Sequence, residues 1–305
     1  MGVDLDQPAP HFFIVGAPKC GTTSMAQYLN QHPDVFVIRG EPHYFGTDFD
    51  YNTPRLSRAQ YAALCRGTGG KRICGDRSTW YLLSRNAASE IHAHNPQALI
   101  IAMLRNPAEM LHSLHAHQYQ RGRRDDIENL EDALAAESDR RAGKRIAANV
   151  RFPESLFYSE IPRFSEQLRR YFDLFGVERV RIILFDDLKR SPAQVYAETV
   201  AFLGVDPAFR PDFSVHNASA PTSNSWIYRA WKASTLRYRI RSLAPQRLYG
   251  VIRDNRRKRL AKAARRQPRA PLEPALRARL LDRFGDEIDQ LEKLIDRDLS
   301  SWRSD

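Results

Sequence analysis

The chain is poor in cysteine, in long apolar runs and, over one stretch, in acid. Three cysteines, Cys20, Cys65 and Cys74, occur among 305 residues. They are too few and too scattered for a disulfide framework and lack the paired spacing of a metal site, which predicts reduced thiols. No apolar run reaches the roughly 18 residues of a membrane span, so none is expected. The opening MGVDLDQPAPH has neither the basic start nor the apolar middle of a secretory signal. Asp6 also stands where an N-myristoylation pattern requires Ser or Thr. These absences predict a soluble, cytoplasmic protein. Acid is scarce between Arg229 and Arg269, where 15 basic residues face Asp254 alone; that stretch carries +14 of a net +11, leaving −3 for the rest. Such a stripe suits nucleic acid, anionic lipid or a polyanionic substrate, and equally a solvated helix face.

What is present reads as an alternation. With 42% hydrophobic and 27% charged residues, the composition fits one larger globular domain or one domain with a helical appendage. HFFIV (11–15), VFVI (35–38), ALIIAML (98–104) and VRIILF (180–185) are buried-strand runs, with RICG (72–75) a weaker candidate. Helical stretches lie at 23–31, 57–65, 85–94, 107–121, 161–175 and 192–203. The pattern predicts an α/β fold of three layers, P-loop-like, with a central parallel sheet flanked by helices. Residues 1–222 form this core, and 223–305 a helical, basic C-terminal extension of the same domain, broken by prolines between Pro268 and Pro274. Ligands of such sheets bind beyond the carboxyl ends of the strands.

The first strand runs into VGAPKCGTT, with Gly16 and Gly21 separated by four residues and a helix following. Backbone N–H groups from Lys19 to Thr23 converge on an anion in that context, and Thr22 and Thr23 add hydroxyls. An ATP-binding loop, however, requires Lys directly after the second glycine; Thr22 is there, and the lysine lies inside the loop at Lys19. A Mg²⁺-holding aspartate is also missing from the end of ALIIAML, which runs instead into RNPAEMLHS. There Arg105 ends a strand, Pro107 starts a helix and Ser113 lies eight residues beyond Arg105, a pair suited to a second phosphate without a metal.

These segments resemble the sulfotransferases that use 3'-phosphoadenosine 5'-phosphosulfate (PAPS), nearest in motif to the carbohydrate (heparan sulfate-type) and bacterial members. VGAPKCGTTSM is similar to their 5'-phosphosulfate loop and RNPAEMLHS to their 3'-phosphate motif. GDRSTWYL (75–82), EQLRRYFDLFGVERVRIILFDDLKRSP (166–192) and the closing FGDEIDQLEKLIDRDLSSW also resemble family segments, so the likeness spans roughly 11–217 plus the C terminus. The resemblance implies PAPS as sulfuryl donor, a hydroxyl acceptor and no metal. It implies that Lys19, Cys20, Gly21, Thr22, Thr23 and Ser24 hold the 5'-phosphosulfate, and that Arg105 and Ser113 hold the 3'-phosphate.

IRGEPHYFG (38–46) is similar to the K-E-P-H-F-F segment of the carbohydrate enzymes, which implies Glu41 as the base that takes the acceptor proton, with His43 orienting substrate or serving as the alternative base. Lys19, among the anion donors, suits charge neutralisation on the leaving phosphate. Arg77 reads as a contact to the sulfuryl group or acceptor, or as the partner of Asp76 or another carboxylate. Trp80 and Tyr81 read as stacking platforms or as core. Of His112, His115 and His117 only the first two share a helix face, with no carboxylate or cysteine to complete a metal set. HNASAPTSNSW (216–226) lacks the basic residues that close over the 3'-phosphate in the family, which leaves Arg229 or the basic stripe for that task. The reading is a sulfotransferase acting on a carbohydrate hydroxyl, or on a small phenolic, lipid or natural-product alcohol. A P-loop kinase or NTPase and an inactive polyanion-binding protein are the alternatives of other classes.

Overall fold

The computed structural model describes residues 9–51, 54–66, 68–120, 124–213 and 271–303. The neutral loop at 216–226 and the basic run at 229–269 lie outside the described residues. In chain order the elements are β1 (Phe12–Gly16), α1 (Thr22–Gln31), β2 (Val35–Val37), α2 (Arg58–Arg66), β3 (Ile73–Arg77), α3 (Ala87–His94), β4 (Leu99–Leu104) and α4 (Pro107–Gln120). Two short helices, α5 (Leu130–Ala135) and α6 (Glu137–Arg141), precede α7 (Phe164–Phe175), β5 (Val180–Leu184), α8 (Phe185–Arg190) and α9 (Pro192–Phe202). The strands form one parallel sheet in the order β2-β3-β1-β4-β5. Among the described residues no helix is long and apolar enough to cross a membrane.

Each strand run of the sequence is a strand of the sheet. β1 is the centre: Phe12, Phe13, Ile14 and Val15 have no solvent exposure, as expected of a strand covered on both faces. RICG, the faintest signal, proves to be an interior strand. Its weakness has a steric cause, because Gly75 pairs with Phe12 and a Cβ there would come within 2.1 Å of the Phe12 ring. The run VRIILF ends one residue early: Phe185 opens α8. Asp186 and Asp187 fall in the first turn of that helix, where its positive end favours acids. α5 and α6, of six and five residues, are too short to show a periodicity.

The edge strand β2 is secured by Asn30 at the end of α1, whose side chain exchanges hydrogen bonds with both the N–H (2.8 Å) and the C=O (3.2 Å) of Val37. Lys71 Nζ donates to the carbonyls of Asn30, His32 and Val35 within 2.9 Å, holding the end of α1 to the start of the strand. Cys65 on α2 and Cys74 on β3 are neighbours here, both buried, with the Cys74 thiol donating to the Cys65 sulfur at 3.0 Å.

The C-terminal segment joins the same core. Glu273 caps the helix Pro274–Arg283 by accepting from the N–H groups of Ala275 and Leu276, and a second helix follows at Gly285–Ile295. Phe284, Ile288, Leu291, Leu299 and Trp302 are buried against the sheet's helices. Asn106 Nδ2 donates to the Trp302 carbonyl (2.7 Å) while its Oδ1 accepts from the Ala108 N–H (2.9 Å), so the start of α4 is tied to the chain's end.

Beneath α6, Arg140 and Asp125 form a pair with no exposure, 2.7 Å apart. Asp125 also accepts from Tyr158 Oη and the Ile127 N–H, and Arg140 donates to the carbonyls of Ala133 and Leu156. Removing one partner strands a buried charge, which costs about 3–5 kcal/mol. Arg140→Leu is therefore expected to lower the unfolding free energy by that amount, read from urea denaturation; an unchanged midpoint would show that the pair contributes nothing.

Candidate active site

β1 and β4 are adjacent, with Gly16 registered against Ala102, so the segments that leave their carboxyl ends emerge side by side. The Ala17 N–H donates to the Met103 carbonyl at 2.6 Å, pinning the first loop to β4. On its other side the Ser78–Leu82 segment closes in: a Cβ on Gly16 would meet the Thr79 carbonyl at 2.9 Å and Leu82 Cβ at 2.8 Å. The loop then turns through Lys19 (φ 66°) and Gly21 (φ 86°), both left-handed. Gly21 opens α1 with no side-chain cap, directing the first turn of the helix at the loop. A Cβ at Gly21 would press on Phe185 and Leu188 at 3.0–3.1 Å, a second reason for glycine. Thr22 is buried; Thr23 and Ser24 are half-buried on the first turn. The Cys20 thiol is buried, donates to the Pro18 carbonyl at 3.5 Å, and is pushed up to about 12 by burial.

Arg105 follows β4 directly. Its guanidinium lies over the Phe185 ring at 4.7 Å, donates to the Lys19 carbonyl at 3.5 Å and pairs with Glu109 one turn into α4 at 3.2 Å. Ser113 is buried a further turn along. Lys19 Nζ lies 3.5 Å from His117 Nδ1, so α4 approaches the loop twice. His115 is instead tied to the Ile127 carbonyl at 2.9 Å and packs on Tyr158, a structural role.

The 41–49 segment has no regular structure, and its backbone is held by side chains. The N–H of His43 donates to Ser78 Oγ (3.1 Å), and those of Tyr44 and Phe45 to Tyr81 Oη (3.0 and 3.3 Å). Arg55 donates to the carbonyls of Tyr44, Gly46 and Phe49. Both anchoring hydroxyls are themselves oriented by Asp76, which accepts from Ser78 Oγ (2.9 Å), Tyr81 Oη (2.9 Å) and Tyr61 Oη (2.7 Å). Burial raises the Asp76 carboxyl to about 6 in spite of those three donors. Arg77, one alternative for which was Asp76, pairs with Glu41. Tyr81 and Trp80 are core residues, Trp80 standing edge-on to Phe152.

Glu41 is the hub of what this scaffold holds. Its Oε1 accepts from Arg77 (2.8 Å) and Thr79 Oγ1 (3.1 Å), and its Oε2 faces His43 Nε2 (3.1 Å) and Arg151 (3.2 Å). Burial alone would raise the carboxyl, but the His43 hydrogen bond and the charges of Arg77 and Arg151 outweigh it and keep the group well below the usual carboxylate range. Burial also pushes His43 down, more than Glu41 pulls it up, and leaves the ring neutral. Arg77 reaches in addition toward Thr23 Oγ1 (3.5 Å), so one guanidinium spans from the loop helix to Glu41. His43, like Lys19, is left-handed (φ 49°); these are two of the four non-glycine residues in that region among the described ones, and such strain concentrates at functional sites. Thr79, Arg151 and His117 join the cluster without having been singled out for it from the sequence. Arg151 stands far along the chain from its partners, on no regular element.

No family model matches the chain. Human heparan sulfate glucosamine 3-O-sulfotransferase 6 is 33% identical over 98 residues, which are 32% of this chain and 27% of that protein. A Drosophila melanogaster bifunctional heparan sulfate N-deacetylase/N-sulfotransferase is 24% identical over 226 residues, covering 68% of this chain and 20% of the relative. The chain thus spans about a quarter of the length of such curated relatives. A solved sulfotransferase from Alicyclobacillus acidocaldarius superposes with a TM-score of 0.71 at 29% identity, over 97% of this chain and 100% of that one. By sequence and by fold the chain is similar to sulfotransferases, with heparan sulfate and other carbohydrate sulfotransferases among the sequence relatives and a bacterial sulfotransferase among the solved structures.

The raised Asp76 carboxyl has a consequence for stability. A carboxyl held above its unfolded value adds stability at low pH and loses it as pH rises through the folded value. Between about pH 4 and pH 6 the wild-type chain should lose on the order of 3 kcal/mol relative to Asp76→Asn, comparing urea unfolding of the two across that window. Parallel pH profiles would contradict the burial of an ionising group there.

Proposed function

We propose that this protein transfers a sulfuryl group from PAPS to a hydroxyl of a carbohydrate acceptor. The observation that carries the reading is the reach of Arg77 from Thr23, on the loop helix, to Glu41: the candidate base stands one guanidinium away from the anion cradle. The cradle suits the donor. Gly21 and the first turn of α1 present N–H groups to an anion, Lys19 adds a cation within the loop, and Arg105 with Ser113 lies across the neighbouring strand end, a second anion grip. PAPS, when bound, supplies the sulfuryl group and departs as adenosine 3',5'-bisphosphate.

The residues then divide the work. Thr22, Thr23 and Ser24 hold the 5'-phosphosulfate end through backbone and hydroxyl donors, and Lys19 neutralises charge on the leaving phosphate oxygen. Cys20 contributes only main chain to the cradle. Arg105 and Ser113 hold the 3'-phosphate, with Arg105 exchanging its Glu109 contact for the ligand. Glu41 takes the proton of the acceptor hydroxyl at a carboxylate oxygen. His43 orients that carboxylate, and Arg77 keeps Glu41 and the sulfuryl-binding end in register. Carbohydrate as acceptor rests on the IRGEPHYFG segment and on the carbohydrate sulfotransferases among the relatives.

Transfer of labelled sulfate from PAPS to a panel of glycans tests the reading; activity confined to phenols or lipids would move the acceptor class. On an accepted glycan, Glu41→Gln and Lys19→Ala should each reduce kcat by roughly 10²-fold or more. Glu41→Gln should leave the affinity for adenosine 3',5'-bisphosphate nearly intact, and lost affinity with retained turnover would overturn the base assignment. Arg105→Ala should weaken adenosine 3',5'-bisphosphate by about 10- to 100-fold and adenosine 5'-phosphate hardly at all, because one charge-assisted contact is worth about 1.5–3 kcal/mol. Equal weakening of both would remove Arg105 from the 3'-phosphate.

A further inference from the structure

Glu41 has a difficulty as a base. A carboxylate offers about four lone-pair sites, and Arg77, Thr79, His43 and Arg151 stand within 2.8–3.2 Å of its two oxygens. An acceptor hydroxyl must displace one of them.

Three of the four are fixed. Thr79 is buried on the segment packed against Gly16. Arg77 is 12% exposed and also donates to the Gly40 carbonyl at 3.1 Å. His43 is 8% exposed, stacked on Tyr51 at 4.7 Å with its backbone N–H on Ser78. Arg151 is the exception. It comes from a segment with no helix or strand, its side chain is 30% exposed, and its hydrogen-bonding partners among the described residues are Glu41 and His43.

The triangle that Arg151 completes is also internally mismatched. Its guanidinium lies 2.9 Å from His43 Nε2, and the same nitrogen lies 3.1 Å from Glu41 Oε2. A neutral imidazole has one N–H. With that hydrogen on Nε2, the ring donates to Glu41 and Arg151 abuts a second donor. With it on Nδ1, Nε2 accepts from Arg151 and turns a lone pair toward the carboxylate, while the buried Nδ1, which has no partner among the described residues, carries an unsatisfied N–H. Departure of Arg151 resolves both conflicts: Nε2–H donates to Glu41, and the carboxylate regains a lone pair. Arg151 is 30% exposed, and an anion brought beside it offers the guanidinium a competing charge-assisted pair.

We propose, building on the sulfotransferase reading, that Arg151 is a specificity-determining latch on Glu41, released by an anionic group, a carboxylate or a sulfate ester, carried by the acceptor beside its reacting hydroxyl. Neutral sugars leave the latch closed. The preference for anionic glycans is then set at the base itself.

Carbon-13 NMR of the glutamate carboxyls, with the Glu41 resonance assigned by its loss in Glu41→Gln, tests this in the full chain saturated with adenosine 3',5'-bisphosphate. The groups facing Glu41 are Arg77, Arg151, His43 and Thr79, and of these only Arg151 is changed in Arg151→Gln. That variant should raise the Glu41 titration by about one to three pH units, the effect of an opposite charge at this distance. In the wild-type chain, methyl glucuronoside or methyl glucoside 6-sulfate should raise it likewise and methyl glucoside should not; whichever of the two acts names the anion. An unshifted titration in Arg151→Gln, an equal response to the neutral sugar, or no response to any of the three would overturn the latch. The sugar series uses the wild-type chain alone, so refutation does not depend on the variant folding. Failure of the bisphosphate to bind in the same samples would count against the sulfotransferase reading and leave the Glu41 comparison standing.

Discussion

The buried carboxylate of Asp76 fixes where the cluster around Glu41 can form. It lies at the end of an interior strand, accepts three hydroxyls, and through two of them, Ser78 and Tyr81, holds the backbone of residues that follow Glu41. Those N–H groups have no strand or helix to bond to, and buried main chain left unpaired is costly. An irregular segment is thereby held as firmly as a regular one. Glu41 and His43 inherit their positions from it, and the cost of burying the Asp76 carboxyl is offset by the order it imposes.

Around that anchor the site is a contest over one carboxylate. Two arginines and a neutral histidine keep Glu41 ionised in a place where burial alone would favour the protonated acid. In the proposed role of Glu41 as the base, a carboxylate held so far down takes up a proton only once one of these partners leaves, which would link proton abstraction to acceptor binding. The cradle on the other side of Arg77 has the complementary character: backbone N–H groups, Lys19 and Arg105 gather positive potential over the ends of β1 and β4. The loop helix and Glu41 share Arg77, so neither is free to shift without the other.

Much of this was legible in the sequence, for physical reasons. Parallel strands buried on both faces write continuous apolar runs, and a phosphate loop needs glycines at fixed places; both signals are local. Arg105 and Ser113 were singled out because they stand at, and eight residues beyond, a strand end, and Glu41 because IRGEPHYFG resembles a segment of the carbohydrate enzymes. Thr79 and Arg151 were not, because their meaning comes from contacts 38 and 110 residues away. RICG read as weak because Gly75 answers to the Phe12 ring rather than to strand propensity. The proximity of Cys65 and Cys74 and the partnering of Lys19 with His117 are likewise tertiary facts with no local mark.

In the proposed function the loop around Lys19 and the strand end at Arg105 grip two separate phosphates of one nucleotide, as a sulfuryl donor requires and a nucleoside triphosphate does not. Calorimetric titration with adenosine 3',5'-bisphosphate, beside ATP with Mg²⁺, measures this directly. Tighter binding of the bisphosphate, unaffected by Mg²⁺, is the result predicted. Tighter binding of ATP in the presence of Mg²⁺ would contradict it.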